Sequence, residues 1–124
     1  MNPTAAERDQ LFKAFARAFF KADMAAMYEV VTADFVWASH DGRGGVERLE
    51  GREAIAAHIS RTRARAEVRF SEVAYHHAPE ATFMTFRIME TDRATGAISA
   101  QVGIERYTFR DGRIAIKDVY RKPA

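Results

Sequence analysis

Residues 97–121 read AISAQVGIERYTFRDGRIAIKDVYR, and this stretch decides the fold. Two runs of alternating apolar and polar residues flank Asp111-Gly112, a dipeptide typical of a tight β-hairpin turn. Two similar runs precede them, EVRFSEVAYHH at 67–77 and ATFMTFRIMET at 81–91, separated by short breaks. The second half of the chain is therefore predicted to form four consecutive antiparallel strands.

The first half carries helix signals. Thr4 and Glu7 fit a capping box that starts a helix running to about Ala22, and Asp23 can cap a shorter second helix. FVWAS at 35–39 is predicted to be a strand, and Gly51 precedes a third helix, REAIAAHISRT at 52–62. The predicted class is α+β, with three helices across the concave face of a curved sheet, in a single domain spanning 1–124.

Composition excludes several classes of protein. The 124 residues are 48% hydrophobic and 29% charged, with no apolar run near the roughly 20 residues of a membrane helix. The first ten residues lack a signal-peptide pattern, so a cytoplasmic protein is expected. There is no cysteine, and the net charge of +2 argues against a nucleic-acid partner, since RTRAR at 61–65 is typical of a helix C-terminus. Dinucleotide and phosphate-loop motifs are absent, so no cofactor is expected.

Three segments together resemble one family: KADMAAMYEVVTADFVW at 21–37, LEGREAIAAHI at 49–59 and IERYTFRDGRIAIKDVY at 104–120. In this order they are similar to the NTF2-like superfamily, which includes SnoaL-type polyketide cyclases and ketosteroid isomerases. The resemblance covers nearly the whole chain. It implies a cystatin-like cone, with three helices packed on a curved, mixed and mainly antiparallel sheet around an internal pocket.

The resemblance also argues against steroid isomerase activity. Those enzymes hold an enolate with a tyrosine and a protonated acid, and an aspartate moves the proton. Here Phe15 stands at the tyrosine position and Ser39 at the aspartate position, while Glu105 keeps the strand acid. Phe15 cannot donate a hydrogen bond, so two of the three roles are missing.

His58 is the first candidate for chemistry. It shares a helical face with Ile55, Ile59 and Thr62, so it is predicted to point inward, either as a catalytic base or as a structural histidine bonded to a neighbour. The resemblance places His58 in one pocket with Glu105. Glu105 and Tyr107 lie on the same face of their predicted strand. The residues alone do not decide whether this is the inner or the outer face of the sheet, but the resemblance favours the inner face.

The predicted activity is cofactor-independent proton transfer next to the carbonyl of a small apolar molecule, as in isomerisation, aldol-type cyclisation or dehydration. His58 would be the base, and Glu105 either its orienter or an acid that stabilises an enolate. Asp41 is a second-choice proton acceptor, although Asp41-Gly42 is also typical of a turn. The predicted pocket wall comprises Phe15, Phe19, Trp37, Ile55, Ile59, Tyr107 and Phe109, with Ser39 and Asp41 at the mouth.

Two alternatives belong to other functional classes. One is a non-catalytic module of the same fold that binds a ligand, and the other is a dimeric interaction module. A homodimer through the sheet is expected in either case, because Met84, Phe86, Ile88 and Ile104 leave apolar side chains on faces that the helices need not reach. No metal site is expected, since adjacent His76 and His77 would point to opposite faces.

Overall fold

The computed structural model describes residues 2–124. Helices and strands follow one another along the chain as α1 (Ala5–Lys21), α2 (Met24–Val30), β1 (Val31–His40), β2 (Val46–Glu50), α3 (Arg52–Arg65), β3 (Ala66–His77), β4 (Thr82–Asp92), β5 (Ile98–Arg110) and β6 (Arg113–Pro123). Within the described residues, no helix is long and apolar enough to cross a membrane.

The helix starts form as their capping residues predict. The Thr4 hydroxyl accepts from the Glu7 amide, while the Glu7 carboxylate accepts from the Thr4 amide, which completes the capping box of α1. The Asp23 carboxylate accepts from the Ala26 amide and begins α2. These short-range bonds satisfy amides that a helix leaves free at its first turn.

The six strands form one sheet in the order β2-β1-β6-β5-β4-β3. Strands β3 to β6 are an antiparallel meander, as predicted, and β1 lies parallel to β6, which makes the sheet mixed. Strand β2 was missed by the sequence analysis. It is a five-residue edge strand paired only with β1, and Leu49 is its one buried residue, so its hydrophobic pattern is weak.

Irregularities bend the sheet around the helices. Glu72 adopts a left-handed backbone (φ 53°) where the pairing of β3 with β4 shifts register. In β6, Ile114 and Ile116 pair with the adjacent residues Phe109 and Thr108, so Ala115 is an extra, bulged residue. A bulge turns the following residues to the opposite faces of the sheet. Lys117 and Val119 therefore join Ile114 on the concave face, where all three are buried.

The core lies between this concave face and the helices. Met84, Phe86 and Ile88 are buried there, so the expectation that they remain uncovered on the sheet was wrong. Alternation along β4 sends all three toward the helices. Ile104, from the same expectation, does lie on the outer face and is 46% exposed.

Candidate functional site

Two adjoining cavities open on the concave face. The wide cavity has a volume of about 420 Å³ and includes His58, while the narrow cavity has a volume of about 170 Å³ and includes Glu105. Both are lined by Phe19, Trp37, Phe70 and Arg121. A ligand of moderate size can therefore extend from one cavity into the other.

A buried polar cluster lies in the narrow cavity. The Tyr107 hydroxyl donates a hydrogen bond to Glu105 Oε1, and the Lys117 Nζ lies 3.5 Å from the same oxygen. The side chains of Glu105 and Lys117 are only 2% and 6% exposed. Glu105 thus faces inward, as the resemblance implied, and its charge is partnered by an ammonium group.

Aromatic rings surround that ammonium group. The Lys117 Nζ lies 3.6 Å from the Trp37 ring centroid, 5.1 Å from that of Phe15 and 5.5 Å from that of Phe19. Such rings attract a cation through their negative faces, and the attraction grows when water is excluded. The Lys117 ammonium group is therefore stabilised by the Glu105 carboxylate and by three aromatic side chains.

Burial changes the acid–base behaviour of this cluster. The pKa of Lys117 is lowered mainly by burial and also by Arg121, whereas Glu105 opposes the change. The pKa of Tyr107 is raised well above its usual range by burial and by the neighbouring Glu105 charge. Tyr107 therefore remains a phenol that donates to Glu105, and Lys117 is the group of the cluster that loses a proton more readily than usual.

His58 lies in the wide cavity. It is half-buried, and its ring packs edge-on against Trp37 with the centroids 5.3 Å apart. Burial is the main cause that lowers the His58 pKa, and Glu47 opposes it. A neutral imidazole at pH 7 can accept a proton. Among residues 2–124, no side chain or backbone group forms a hydrogen bond with its ring.

Arginines give the wide cavity a positive side. The Glu90 carboxylate lies 3.4 Å from Arg65 and 3.5 Å from Arg121, and all three line the cavity. Two guanidinium groups share one carboxylate, so one positive charge is left without a partner in this group. This side of the cavity favours a ligand with an electron-rich oxygen.

His58 and Glu105 do not pair directly, so the alternative in which Glu105 orients His58 is not supported. Glu105 lies on β5 and is engaged by Tyr107 and Lys117, while no His58 ring nitrogen comes within 4 Å of its carboxylate. The two residues belong to adjoining cavities, and Trp37 contacts both His58 and Lys117. Lys117 was not among the predicted site residues, because a lysine on a strand is normally exposed.

The predicted pocket wall is only partly present. Phe15 and Tyr107 line the narrow cavity, Ser39 and Ile59 line the wide one, and Phe19 and Trp37 line both. Ile55 and Phe109 do not line either cavity, which corrects the prediction for these two residues. Ile55 is fully buried in the core, and Phe109 packs against α1, where the Arg8 guanidinium lies over its ring.

Asp41 does not lie at the cavity mouth. It is exposed in the loop between β1 and β2, where its Oδ1 accepts hydrogen bonds from the amides of Arg43 and Gly45. The turn interpretation of Asp41 is therefore the correct one, and its proposed role as a proton acceptor is not supported by its position. The short side chain organises the loop by bonding the backbone ahead of it.

His76 and His77 diverge as neighbours on a strand do. A His76 ring nitrogen lies 3.2 Å from the Thr85 hydroxyl, while His77 contacts Thr82 and, at 2.9 Å, the Asp9 carboxylate. Across the described chain, no three histidine or acidic side chains lie close enough together to hold a metal ion.

Comparison with known proteins agrees with this architecture. A family model described as "SnoaL-like domain" matches residues 12–116. An NTF2-like protein from Burkholderia xenovorans superposes with a TM-score of 0.84 at 17% identity, over 96% of this chain and 92% of that one. No curated protein matches the sequence significantly.

Two further solved structures are similar at the level of fold. A protein with a ketosteroid isomerase-like fold from Catenulispora acidiphila, in complex with trimethylamine, has a TM-score of 0.72 at 19% identity, covering 89% of this chain and 83% of that one. An epoxide hydrolase from M. tuberculosis described as LEH-like has a TM-score of 0.70 at 16% identity, covering 97% and 86%. The fold expected from the sequence is thereby confirmed, and identities this low say nothing more.

Proposed function

The chain belongs to the SnoaL-like domain family within the NTF2-like superfamily, and on that premise we propose that its concave cavities bind a small, mainly apolar carbonyl compound and transfer a proton next to the carbonyl. Isomerisation, aldol-type cyclisation and dehydration all begin with this step. It needs a base, a group that stabilises the enolate oxygen, and a dry cavity.

The observation that carries the proposal is the buried ion pair of Lys117 and Glu105 on a cavity wall that is otherwise aromatic. Burying two opposite charges is weak evidence for stability, because their desolvation offsets most of their attraction. An ionisable group in a cavity whose pKa burial perturbs, as it lowers the pKa of Lys117, is typical of functional sites. The pair therefore favours a chemical role over a structural one.

The roles follow from charge and position. The Lys117 ammonium and Arg121 carry the positive charge that would stabilise an enolate oxygen, and Glu105 holds the ammonium in place. His58 in the adjoining wide cavity would be the base, because its lowered pKa keeps the imidazole neutral. The apolar body of the substrate would occupy the narrow cavity between Phe15 and Tyr107.

The experiment is hydrogen–deuterium exchange at the α carbon of a small aromatic ketone in D₂O, followed by NMR. The wild-type protein should accelerate exchange, and His58→Gln should lower that rate by about 10²–10⁴-fold, the usual contribution of a positioned base. The matched control is His76→Gln, which removes an exposed histidine of β3 and should leave the rate unchanged. Equal rates for His58→Gln and wild type would rule out His58 as the base.

A non-catalytic ligand-binding module is the second candidate. It is favoured by one observation: no group of residues 2–124 forms a hydrogen bond that would orient the His58 ring. Because Trp37 is the only tryptophan and lines both cavities, its fluorescence reports ligand binding directly. Quenching by the ketone without any α-exchange would identify a binding module.

We further propose that two copies associate through the outer face of the sheet. Ile104 and Tyr120 are 46% and 45% exposed there and belong to neighbouring strands, with Ile104 paired to Tyr120. Apolar side chains exposed side by side favour an interface. Light scattering should show a dimer that Ile104→Lys converts to a monomer, and a wild-type monomer at high concentration would exclude this association.

A further inference from the structure

We propose that Lys117 captures aldehydes and ketones covalently, forming an imine between its Nζ and the carbonyl carbon of a compound in the narrow cavity. Lys117 is one of four lysines in the chain, and the other three, Lys13, Lys21 and Lys122, are exposed. Of the four, only Lys117 lines either concave cavity, and there it lies beside a carboxylate and a phenol. An amine nucleophile next to a group that can exchange protons with it is the arrangement that imine chemistry requires.

The first step is proton transfer within the ion pair. Glu105 takes a proton from the Lys117 ammonium across the 3.5 Å that separates Nζ from Oε1, leaving a neutral amine. The amine attacks the carbonyl carbon, the C–N bond forms, and one nitrogen proton moves to the former carbonyl oxygen to give a carbinolamine. The protonated Glu105 then donates its proton to that hydroxyl, the C–O bond breaks, and water leaves.

The sum of these steps balances without any other reactant. An ammonium and a carbonyl compound become a protonated imine and water, while Glu105 returns to its carboxylate form. No electron is gained or lost overall, so no oxidant or reductant is needed. Glu105 carries the proton from the amine to the leaving water.

The surroundings suit the product as well as they suit the lysine. A protonated imine at Lys117 would keep its positive charge beside Glu105 and over the Trp37 ring, whose centroid lies 3.6 Å from Nζ. The aromatic walls formed by Phe15 and Phe19 hold water away from the C=N bond. Burial also lowers the pKa of Lys117, which increases the fraction of free amine at neutral pH.

The test is reductive trapping of the whole chain at pH 7 with benzaldehyde and sodium cyanoborohydride, followed by peptide mass mapping. Burial lowers the Lys117 pKa and so raises its free-amine fraction, and the narrow cavity holds the aldehyde beside its Nζ, so Lys117 should be labelled faster than each exposed lysine. Benzyl alcohol, which has the aromatic ring of benzaldehyde but no carbonyl group, should slow labelling at Lys117 by competing for the narrow cavity and leave Lys122 unaffected. These two readouts need only the wild-type protein.

Variants separate imine formation from the other roles of the cluster. Lys117→Arg keeps a positive charge but has no primary amine, so its adduct should disappear, whereas the matched control Lys122→Met on the same strand should keep the Lys117 adduct. Imine formation needs no proton transfer by His58, so His58→Gln should be trapped at the wild-type rate even if α-exchange is lost. Labelling of the three exposed lysines without Lys117, or labelling of Lys117 that benzyl alcohol does not slow, would overturn the inference.

Discussion

Glu105→Gln is expected to destabilise the protein by about 3–5 kcal/mol at pH 7, because it removes the partner of a buried ammonium group. At 3.5 Å and an effective dielectric constant of about 20, the attraction between Lys117 and Glu105 is about 5 kcal/mol. The glutamine oxygen can still accept the Tyr107 hydrogen bond, so the substitution isolates the loss of charge. For a chain of this size the midpoint of thermal unfolding should fall by about 10–20 °C.

The free energy needed to deprotonate Lys117 is the largest loss of stability that Glu105→Gln can cause, and it depends on pH. Without Glu105, the folded protein can lose the proton of Lys117 and so avoid an unpaired buried charge. Removing a proton from a lysine with an ordinary pKa of about 10.4 costs about 5 kcal/mol at pH 7 and about 2 kcal/mol at pH 9. The unfolded chain then binds more protons than the folded one, so the stability of the variant should rise with pH over this range. Wild type should change in the same direction but less, because Glu105 opposes the lowering of the Lys117 pKa.

Urea unfolding at pH 7 and pH 9 measures these free energies. The double variant Glu105→Gln/Lys117→Met should be more stable than Glu105→Gln alone, since it removes the unpaired charge. The control is Glu50→Gln, which breaks an exposed contact with Arg48 of similar length, 3.6 Å, and should cost less than about 1 kcal/mol. If the double variant loses the sum of the two single losses, the ion pair does not contribute to the folded state as described.

Three further outcomes are expected. The stability of wild type should fall as pH drops below 6.5, because burial lowers the pKa of His58 in the folded protein and the unfolded chain binds its proton more readily. In thermal melts, the midpoint of His58→Gln should therefore fall less steeply with decreasing pH than that of wild type. Equal slopes for the two proteins would contradict this. Asp41→Ala should lower the free energy of unfolding in urea by about 0.5–1.5 kcal/mol, because two hydrogen bonds of the loop are lost. Ketone binding, followed by Trp37 fluorescence, should be unchanged, and a loss of binding would argue against the position of Asp41 outside the site. Gly103→Ala should cost about 1–3 kcal/mol, because its Cβ would lie 2.4 Å from the Phe86 ring and 2.8 Å from a backbone oxygen, and an unchanged urea midpoint would show that both can move away.

The features that the sequence predicts correctly depend on contacts within a few residues. The capping box of Thr4 and Glu7 spans three residues, and the Asp111-Gly112 turn has both backbones in the left-handed region that such a hairpin requires. Strand β2 depends instead on pairing with β1 across a loop that Asp41 organises, and its own pattern is too short and too exposed to indicate a strand. Local chemistry therefore predicts the ends of elements better than it predicts an edge strand.

The composition of the site depends on one bulge that no local pattern reveals. Alternation from Ile114 through Ile116 predicts that Lys117 faces outward, and the extra residue at Ala115 reverses this by shifting the pairing of β6 with β5. Where a bulge forms is decided by how distant strands align, which a run of alternating residues does not encode. A buried Glu105 without a lysine nearby would need another partner, and His58 was the only candidate that the sequence analysis offered. With Lys117 turned inward, Glu105 is already partnered, so in the proposed function His58 would be left to accept a proton from a ligand, and in the proposed imine chemistry Lys117 would be the amine that meets a carbonyl compound.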